Sequence, residues 1–294
     1  MCRAIGGLIA LLCLFCPLAQ GEAQSAPPRI ALTGQPEAAA LPRTTLASSR
    51  WEVTLDGQIG VPRGYIKVTE TNAPGTRLRL HDDLGIDVSE AAELSVAYHF
   101  TPRDALRGTY LYAFLDGNTT LDHPVVFNGQ TFGPGRLHTD ADFYRLTLQY
   151  ERMVIALGGG GSLTASAGLT YVNFNPTLKD GKSNSEDFYR QELPVPLLGV
   201  RVDYPLRGHL GLTASVAGGG LPRVDSLRKE GGTVWLQQSH ADAGLGLTYA
   251  LTTALRLDTG YHFTYFFQEE KSHEDQNTFQ LFDNAFRVGL TLRF

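Results

Sequence analysis

The chain has 294 residues, with 25 Lys and Arg against 30 Asp and Glu, for a formal net charge of −5 at pH 7. This acidic balance argues against nucleic acid as a partner, because nucleic-acid-binding proteins present clusters of basic residues. The 32 glycines, 15 phenylalanines and 12 tyrosines, with only 2 methionines, favour an all-β protein with many turns.

The first 21 residues are predicted to be a signal peptide. Arg3 supplies a positive charge, and residues 4–16 form an apolar stretch. That stretch is too short to cross a bilayer as a helix, which takes about 20 residues. Small residues at Ala19 and Gly21 indicate cleavage after Gly21.

All three cysteines, Cys2, Cys13 and Cys16, lie in this first segment. A lipoprotein signal is the alternative interpretation, although the residues before Cys13 and Cys16 are large rather than small. After cleavage the chain has no thiol, and hence no disulfide, no Cys-based metal site and no Cys nucleophile. Residues 22–50 are rich in Ala and Pro and show no period, so we predict a periplasmic tail there.

From Trp51 onward, apolar residues recur at every second position, which is the period of a β-strand. Ten such segments follow one another along the chain. Their apolar positions run from Trp51 to Val61, Leu94 to Phe100, Leu106 to Phe114, Tyr144 to Tyr150, Leu163 to Tyr171, Leu198 to Tyr204, Leu210 to Val216, Ala241 to Tyr249, Leu255 to Tyr265 and Phe286 to Phe294.

The connections between these segments alternate between short and long. The short ones are 101–104, the glycine-rich 152–161, 205–208 and 250–253, and the long polar ones are roughly 62–91, 115–139, 175–193, 219–232 and 267–280. Short periplasmic turns alternating with long outer loops are typical of outer-membrane barrels. The pattern therefore predicts a transmembrane up-and-down antiparallel β-barrel over residues 51–294, with about ten strands and with eight or twelve as the alternatives.

Aromatic residues mark the ends of the predicted strands. One set precedes the short turns or ends the chain, as a periplasmic aromatic girdle would: Phe100, Tyr150, Tyr204, Tyr249 and Phe294. A second set lies at the opposite strand ends: Tyr112, Phe114, Tyr171, Phe263 and Tyr265. We expect the terminal strand to pair with the strand that begins at Trp51, because this closes the sheet and removes its free edges.

The polar face of the strands is predicted to line the lumen. It carries seven acids and six arginines: Glu52, Asp56, Glu93, Arg107, Arg145, Glu151, Arg201, Asp203, Asp242, Arg256, Asp258, Arg287 and Arg293. We expect these charges to pair and to plug the narrow lumen, because isolated ions there lose hydration. A soluble β-sandwich or lipocalin-like barrel is the alternative, since its strands also alternate.

Residues 51–294 resemble small outer-membrane β-barrel proteins. The segments Asp83-Leu-Gly-Ile-Asp87, Val125-Val-Phe-Asn-Gly-Gln-Thr-Phe-Gly133 and Pro194-Val-Pro-Leu-Leu-Gly199 with Tyr204 resemble a family of uncharacterised proteobacterial barrels. The resemblance implies the outer membrane of a Gram-negative cell after signal cleavage, with membrane lipid and lipopolysaccharide as partners. It also implies that the barrel assembly machinery reads the terminal strand ending at Phe294.

Signals for catalysis or metal binding are weak. His240 and Asp242 share the inward face and are the candidate catalytic pair, but outer-membrane proteases of ten strands use the order Asp-x-His. Barrels that modify lipid A use His with Ser, and Ser239 points to the other face than His240. Residues 81–83 and 269–275 are acidic clusters with His but without a ligand spacing, so neither a metal site nor a cofactor is predicted.

The function expected from these patterns is a structural or surface role, with five loops displayed and an ion-paired, plugged lumen. A narrow channel or small-ligand transporter is the alternative. An outer-membrane enzyme, either a protease or a lipid A-modifying protein, is third, since fold alone does not select a function.

Overall fold

The computed structural model describes residues 49–70, 73–181, 183–186, 189–190, 193–225, 234–273 and 275–294. The predicted signal peptide, and the predicted tail up to residue 48, lie outside this part of the chain. Within it, no helix is both long enough and apolar enough to cross a bilayer. The helical structure that it contains is a single 3₁₀ turn, Gly158–Gly160.

The strands are numbered in chain order. They are β1 (Trp51–Glu70), β2 (Leu78–Arg79), β3 (Ser89–His99), β4 (Asp104–Phe114), β5 (Asp116–Leu121), β6 (Val125–Phe127), β7 (Gln130–Phe132), β8 (Gly135–Ala156), β9 (Ser162–Lys179), β10 (Asn184–Glu186), β11 (Tyr189–Arg190), β12 (Val195–Pro205), β13 (Leu210–Asp225), β14 (Trp235–Ala250), β15 (Leu255–Lys271) and β16 (Asp275–Arg293).

Ten of these strands form a closed antiparallel ring in the order β1, β3, β4, β8, β9, β12, β13, β14, β15 and β16. The ring closes where β16 pairs with β1, from Glu52 opposite Arg293 to Glu70 opposite Asp275. Reciprocal backbone hydrogen bonds join Trp51 to Phe294 at 2.9 and 3.0 Å. The predicted ten-stranded up-and-down barrel, closed by its terminal strand, is therefore confirmed, and the eight- and twelve-stranded alternatives are wrong.

The strands are longer than the sequence pattern indicated. β1 has 20 residues and β8 has 22, whereas a tilted strand needs about 9–11 residues to cross the hydrocarbon of a bilayer. Several connections predicted as long loops are in fact continuing strand: β9 runs to Lys179, and β16 begins at Asp275. The barrel thus extends well beyond the membrane on the side opposite Trp51 and Phe294, which is the outer side because the short turns of such barrels are periplasmic.

At the outer edge of the membrane-spanning part of the barrel, the inward face of the strands changes from polar to apolar. The outward face changes there from apolar to polar. On β8, the inward side chain of Arg145 belongs to a polar lower half, while the inward Phe143 and Leu137 above it are buried in apolar surroundings. The outward face changes in the opposite sense, from the exposed Leu148 to the exposed His138. Below this level the barrel is apolar outside and polar inside, and above it the arrangement is that of a water-soluble protein.

Strand β9 shows the same exchange. Its buried inward residues change from Thr170 to Phe174, and its exposed outward residues change from Leu169 to Lys179. This exchange explains why apolar periodicity alone placed the strand ends too early. The apolar residues of the upper half continue at every second position, but in the opposite phase.

An apolar core fills the outer half of the barrel. The rings of Phe174 and Phe279 stack at 3.8 Å, and Phe266 packs edge-on against Phe143 at 5.6 Å. The outer connections fold into this core with the following buried side chains: Leu78, Leu80, Leu84, Ile86, Leu121, Val125, Phe127 and Phe132. The expectation of long polar outer loops is therefore corrected, because the first two loops supply apolar filling for the barrel.

A tight hairpin holds one of these loops in place. β6 and β7 pair with Phe127 opposite Gln130, and the two residues between them, Asn128 and Gly129, have φ of 50° and 68°. Two consecutive left-handed residues form the turn that suits a two-residue hairpin, and Asn-Gly is its preferred sequence. The hairpin thereby directs both Phe127 and Phe132 into the core.

Candidate functional site: the charged lumen

A cavity of about 250 Å³ occupies the inner half of the barrel, on the side of Trp51, Phe294 and the short turns. All thirteen charges predicted for the lumen line it, together with Thr and Ser side chains from the same face. They face the cavity because inward positions recur every two residues along each strand. The seven acids and six arginines leave a formal charge of −1.

The rim network is a chain of six alternating charges near the periplasmic end: Arg293, Glu52, Arg107, Glu151, Arg201 and Asp203. Its first half joins β16, β1, β4 and β8. Arg293 donates to Glu52 at 2.7 Å, and Arg107 donates to Glu52 at 2.8 Å and to Glu151 at 2.8 Å. Arg107 and both of its carboxylate partners are largely buried, so each charge depends on its neighbours for compensation.

The second half of the rim network continues to β12. Arg201 donates to both carboxylate oxygens of Glu151, at 2.9 and 3.2 Å, and to Asp203 at 3.0 Å. Asp203 also accepts from the Thr213 hydroxyl at 3.1 Å. Glu151 is therefore held by two guanidinium groups at once, in the forked geometry that makes Arg–carboxylate pairs strong.

The middle network lies two or three inward positions farther along the strands from the periplasmic end than the rim network, and it crosses the lumen. Arg145 on β8 donates to both oxygens of Asp242 on β14, at 2.8 and 3.0 Å. Longer contacts extend the chain: Arg145 to Glu93 at 4.0 Å, Arg287 to Glu93 at 3.9 Å and Arg287 to Asp56 at 3.6 Å. A single nitrogen, Nη1 of Arg145, donates to both oxygens. The pair joins two walls that do not pair with each other, so it braces the barrel across its interior.

A third group stands beside the rim network. Arg256 contacts Asp258 at 2.7 Å, and the Thr291 hydroxyl donates to Asp258 at 2.6 Å. Thr291 also shares a hydrogen bond of 2.9 Å with Thr54 on the neighbouring strand. Together the three groups account for all thirteen predicted charges, each with at least one opposite charge within 4.0 Å.

The candidate pair His240 and Asp242 is not brought together by a hydrogen bond. The Asp242 carboxylate instead accepts hydrogen bonds from Arg145 and from the Thr264 hydroxyl, the latter at 3.0 Å. His262 Nε2 lies 3.4 Å from it. The His240 ring packs edge-on against Phe266 at 4.8 Å, below the apolar core, and its Nε2 has no partner among the described residues. The proximity of His262 to Asp242 depends on the register between β14 and β15, in which Asp242 lies opposite Thr264.

No group of three or more His, Cys, Asp or Glu side chains that could hold a metal ion occurs in the described part of the chain. Of the acidic clusters in the outer loops, His81 contacts Asp87 at 2.8 Å. Glu269 accepts from Gln276 at 2.9 Å across the β15–β16 hairpin.

The outer surface of the inner half is apolar and ends in aromatic residues. The five side chains predicted for the periplasmic girdle are exposed, as is Trp51, whose ring packs against Tyr98 at 4.8 Å. Above them lies a continuous belt of exposed aliphatic side chains, among them Leu55, Ile59, Leu94, Leu146, Leu148, Leu169, Val200, Leu245, Val288 and Leu292.

Aromatic rings also gather at the upper edge of this belt. Tyr112 contacts Phe114 at 4.2 Å and Tyr144 at 4.7 Å, and Tyr265 contacts Phe282 at 4.9 Å. Two aromatic bands around an apolar belt match the hydrocarbon of a bilayer and its two interfaces. In water, an exposed apolar surface of this extent would cause aggregation.

No family model matches the sequence, and no curated protein matches it. Among solved structures, it is similar to the outer membrane protease OmpT from Escherichia coli, at 10% identity over 83% of this chain and 97% of that chain, with a TM-score of 0.49. It is also similar to the translocator domain of autotransporter NalP from Neisseria meningitidis, at 13% identity over 86% and 90%, with a TM-score of 0.41. A third is the outer membrane protein OprG from Pseudomonas aeruginosa, at 10% identity over 84% and 97%, with a TM-score of 0.38. By its own closed ring of ten antiparallel strands and its apolar exterior, the chain has the fold of a small bacterial outer-membrane β-barrel.

Proposed function

We propose that this protein is a non-conducting outer-membrane barrel with a structural or surface role. The observation that carries the proposal is the apolar core of the outer half. Phe143, Phe174, Phe266 and Phe279 are buried where an open pore would need water. A dry apolar barrier of this kind excludes ions, because an ion that enters it loses its hydration without compensation.

The charged lumen below this core supports the same role. Its arginines and carboxylates pair across the strands and nearly neutralise one another, because seven acids and six arginines leave a formal charge of −1. Selective pores instead expose a ring of one sign of charge to permeating ions. Paired charges therefore serve to hold the walls of the barrel together.

The alternative is a narrow channel or small-ligand transporter, which the cavity of about 250 Å³ favours. It requires the apolar core to open during transport. An enzyme is the third candidate, and it gains no support from His240 and Asp242, which no hydrogen bond joins and whose carboxylate is held by Arg145 and Thr264. The partners proposed for the barrel are membrane lipid, lipopolysaccharide at the outer rim and the assembly machinery that would recognise the strand ending at Phe294.

Planar-bilayer recording of the refolded protein tests the proposal. We expect no steady conductance, and we expect a control with both Phe143 and Phe266 replaced by Gly to leak, since these rings fill the interior. Insertion of each protein is verified by resistance of the folded barrel to protease. Discrete conductance steps from the unmodified protein would show that the barrel is a channel.

A further inference from the structure

In the cavity, four arginine side chains are partly exposed to water, whereas most of the carboxylates paired with them are buried. Four guanidinium side chains are 30–32% exposed: Arg201, Arg256, Arg287 and Arg293. Four of the carboxylates paired with them are only 1–6% exposed: Glu151, Asp258, Asp56 and Glu52. Asp203, at the rim, is the exception at 41%. A solute in the cavity therefore meets N–H donors although the formal charge of the lining is −1.

Arg287 is the guanidinium with the most unused donors. Its nitrogens lie 3.6 Å from Asp56 and 3.9 Å from Glu93, beyond hydrogen-bond length, and it makes no shorter polar contact within the described chain. Gln58 lies directly opposite Arg287 on β1, and its buried Nε2 also lacks a partner. The acceptor nearest to Arg287, Oδ1 of Asp56, lies beyond hydrogen-bond reach at 3.6 Å and is itself buried without a hydrogen-bond partner. Buried or half-buried donors are rarely left unsatisfied, so the two neighbouring donors mark a place where a further acceptor belongs.

We propose that this cavity binds a small oxyanion, of the carboxylate or phosphate class, with Arg287 as its principal ligand. The planar fork of a guanidinium matches two oxygens of either group. Arg256, opposite Thr291, and Arg293 line the same cavity nearer its periplasmic end and add positive charge to its lining. The volume of about 250 Å³ lies below the ~300–1,000 Å³ typical of pockets for drug-sized ligands, so the ligand has few heavy atoms.

The ligand reaches the cavity from the periplasm. At the periplasmic end, Arg201, Arg293 and Asp203 are 31–41% exposed, whereas Ala285, the inward residue of β16 just above Arg287, is buried. The direction of access rests on the sealed outer half proposed above. Binding of the oxyanion does not depend on that seal. Conductance by the barrel would therefore refute the proposed function without deciding whether the cavity binds an oxyanion.

Calorimetric titration of the refolded full-length protein in detergent tests the site. The probes are sodium phosphate and sodium succinate, each against sodium chloride of equal ionic strength. We expect saturable binding of one or both, and the tighter probe identifies the class of the ligand. Because carboxylates outnumber arginines in the lining, calcium chloride is the counter-probe.

Arg287→Gln should weaken the binding at least about tenfold, because one charge-assisted hydrogen-bond pair is lost. Arg287→Lys should retain part of it, since the charge remains but the fork does not. Arg152→Gln is the matched control, because Arg152 is exposed and lies outside the cavity. This variant should bind the probes as tightly as the unmodified protein does. Circular dichroism verifies that each variant is folded, and a folded Arg287→Gln that still binds the probes with unchanged affinity would overturn the proposal. So would the absence of saturable phosphate and succinate binding, or saturable binding of calcium alone.

Discussion

Replacing Arg145 should destabilise the barrel far more than replacing Arg152, although both arginines lie on β8 and both pair with an aspartate. Arg145 is 9% exposed and holds Asp242 through contacts of 2.8 and 3.0 Å across the lumen. Arg152 is 58% exposed and contacts Asp104 at 3.3 Å near a periplasmic turn. The comparison of the two variants therefore measures how burial changes the stability cost of losing an arginine, because the residue type and the strand are the same.

The expected magnitudes differ severalfold. In Arg145→Gln, Asp242 keeps the Thr264 hydroxyl and the nearby His262 but loses its main counter-charge. Removing one partner of a buried ion pair costs about 3–5 kcal/mol, because the remaining charge stays buried without compensation. Arg152→Gln removes an exposed pair, which contributes about 0–1 kcal/mol.

Urea unfolding in lipid vesicles measures both values. Fluorescence of Trp51 and Trp235, which lie at opposite ends of the barrel wall, reports the transition, and linear extrapolation gives the free energy of unfolding. The double variant Arg145→Met, Asp242→Leu should recover most of the loss, because an apolar pair leaves no buried charge. If Arg145→Gln unfolds within about 1 kcal/mol of Arg152→Gln, the lumen charges do not brace the barrel as described.

Further substitutions test other parts of the fold. Leu148→Arg on the lipid face should cost about 2–4 kcal/mol of unfolding free energy in vesicles, whereas His138→Arg on the same outward face above the membrane should change it by less than about 0.5 kcal/mol; equal costs would contradict the exchange of faces. Phe143→Ala should cost about 3–5 kcal/mol in the same assay, because it leaves a cavity in the apolar core; a loss under about 1 kcal/mol would show that the core is loosely packed. Phe294→Ala should reduce the amount of folded barrel in cell envelopes while leaving unfolding of the purified protein nearly unchanged, since its ring is exposed; normal envelope levels would argue against recognition of this residue during assembly.

The sequence predicted the barrel because two independent signals coincide in the inner half. Apolar residues at every second position define strands, and the aromatic residues before short turns, such as Phe100 and Tyr204, define where the strands end. Inward placement of the charges follows from the same parity, since a strand side chain can point only to one face or the other. Closure of the ring follows from the cost of a free edge in lipid.

The sequence could not predict the outer half, because its apolar positions run in the opposite phase. Phe143 and Arg145 are both inward, yet one is apolar and the other charged, so a search for apolar residues on one face loses the strand between them. The partners of the charges were equally inaccessible. Arg145 and Asp242 are far apart in sequence and lie on strands that do not pair, so only the curvature of the closed barrel brings them together.

The apolar core of the outer half gives this barrel two sources of stability with different temperature dependence. Burial of the core removes apolar surface from water, which carries a large heat-capacity change and weakens on cooling. The outward apolar side chains of the inner half contact lipid hydrocarbon both before and after unfolding within the membrane. They therefore do not add to this heat-capacity change. Calorimetry of the barrel should therefore show a heat-capacity change on unfolding that comes mainly from the apolar core of the outer half.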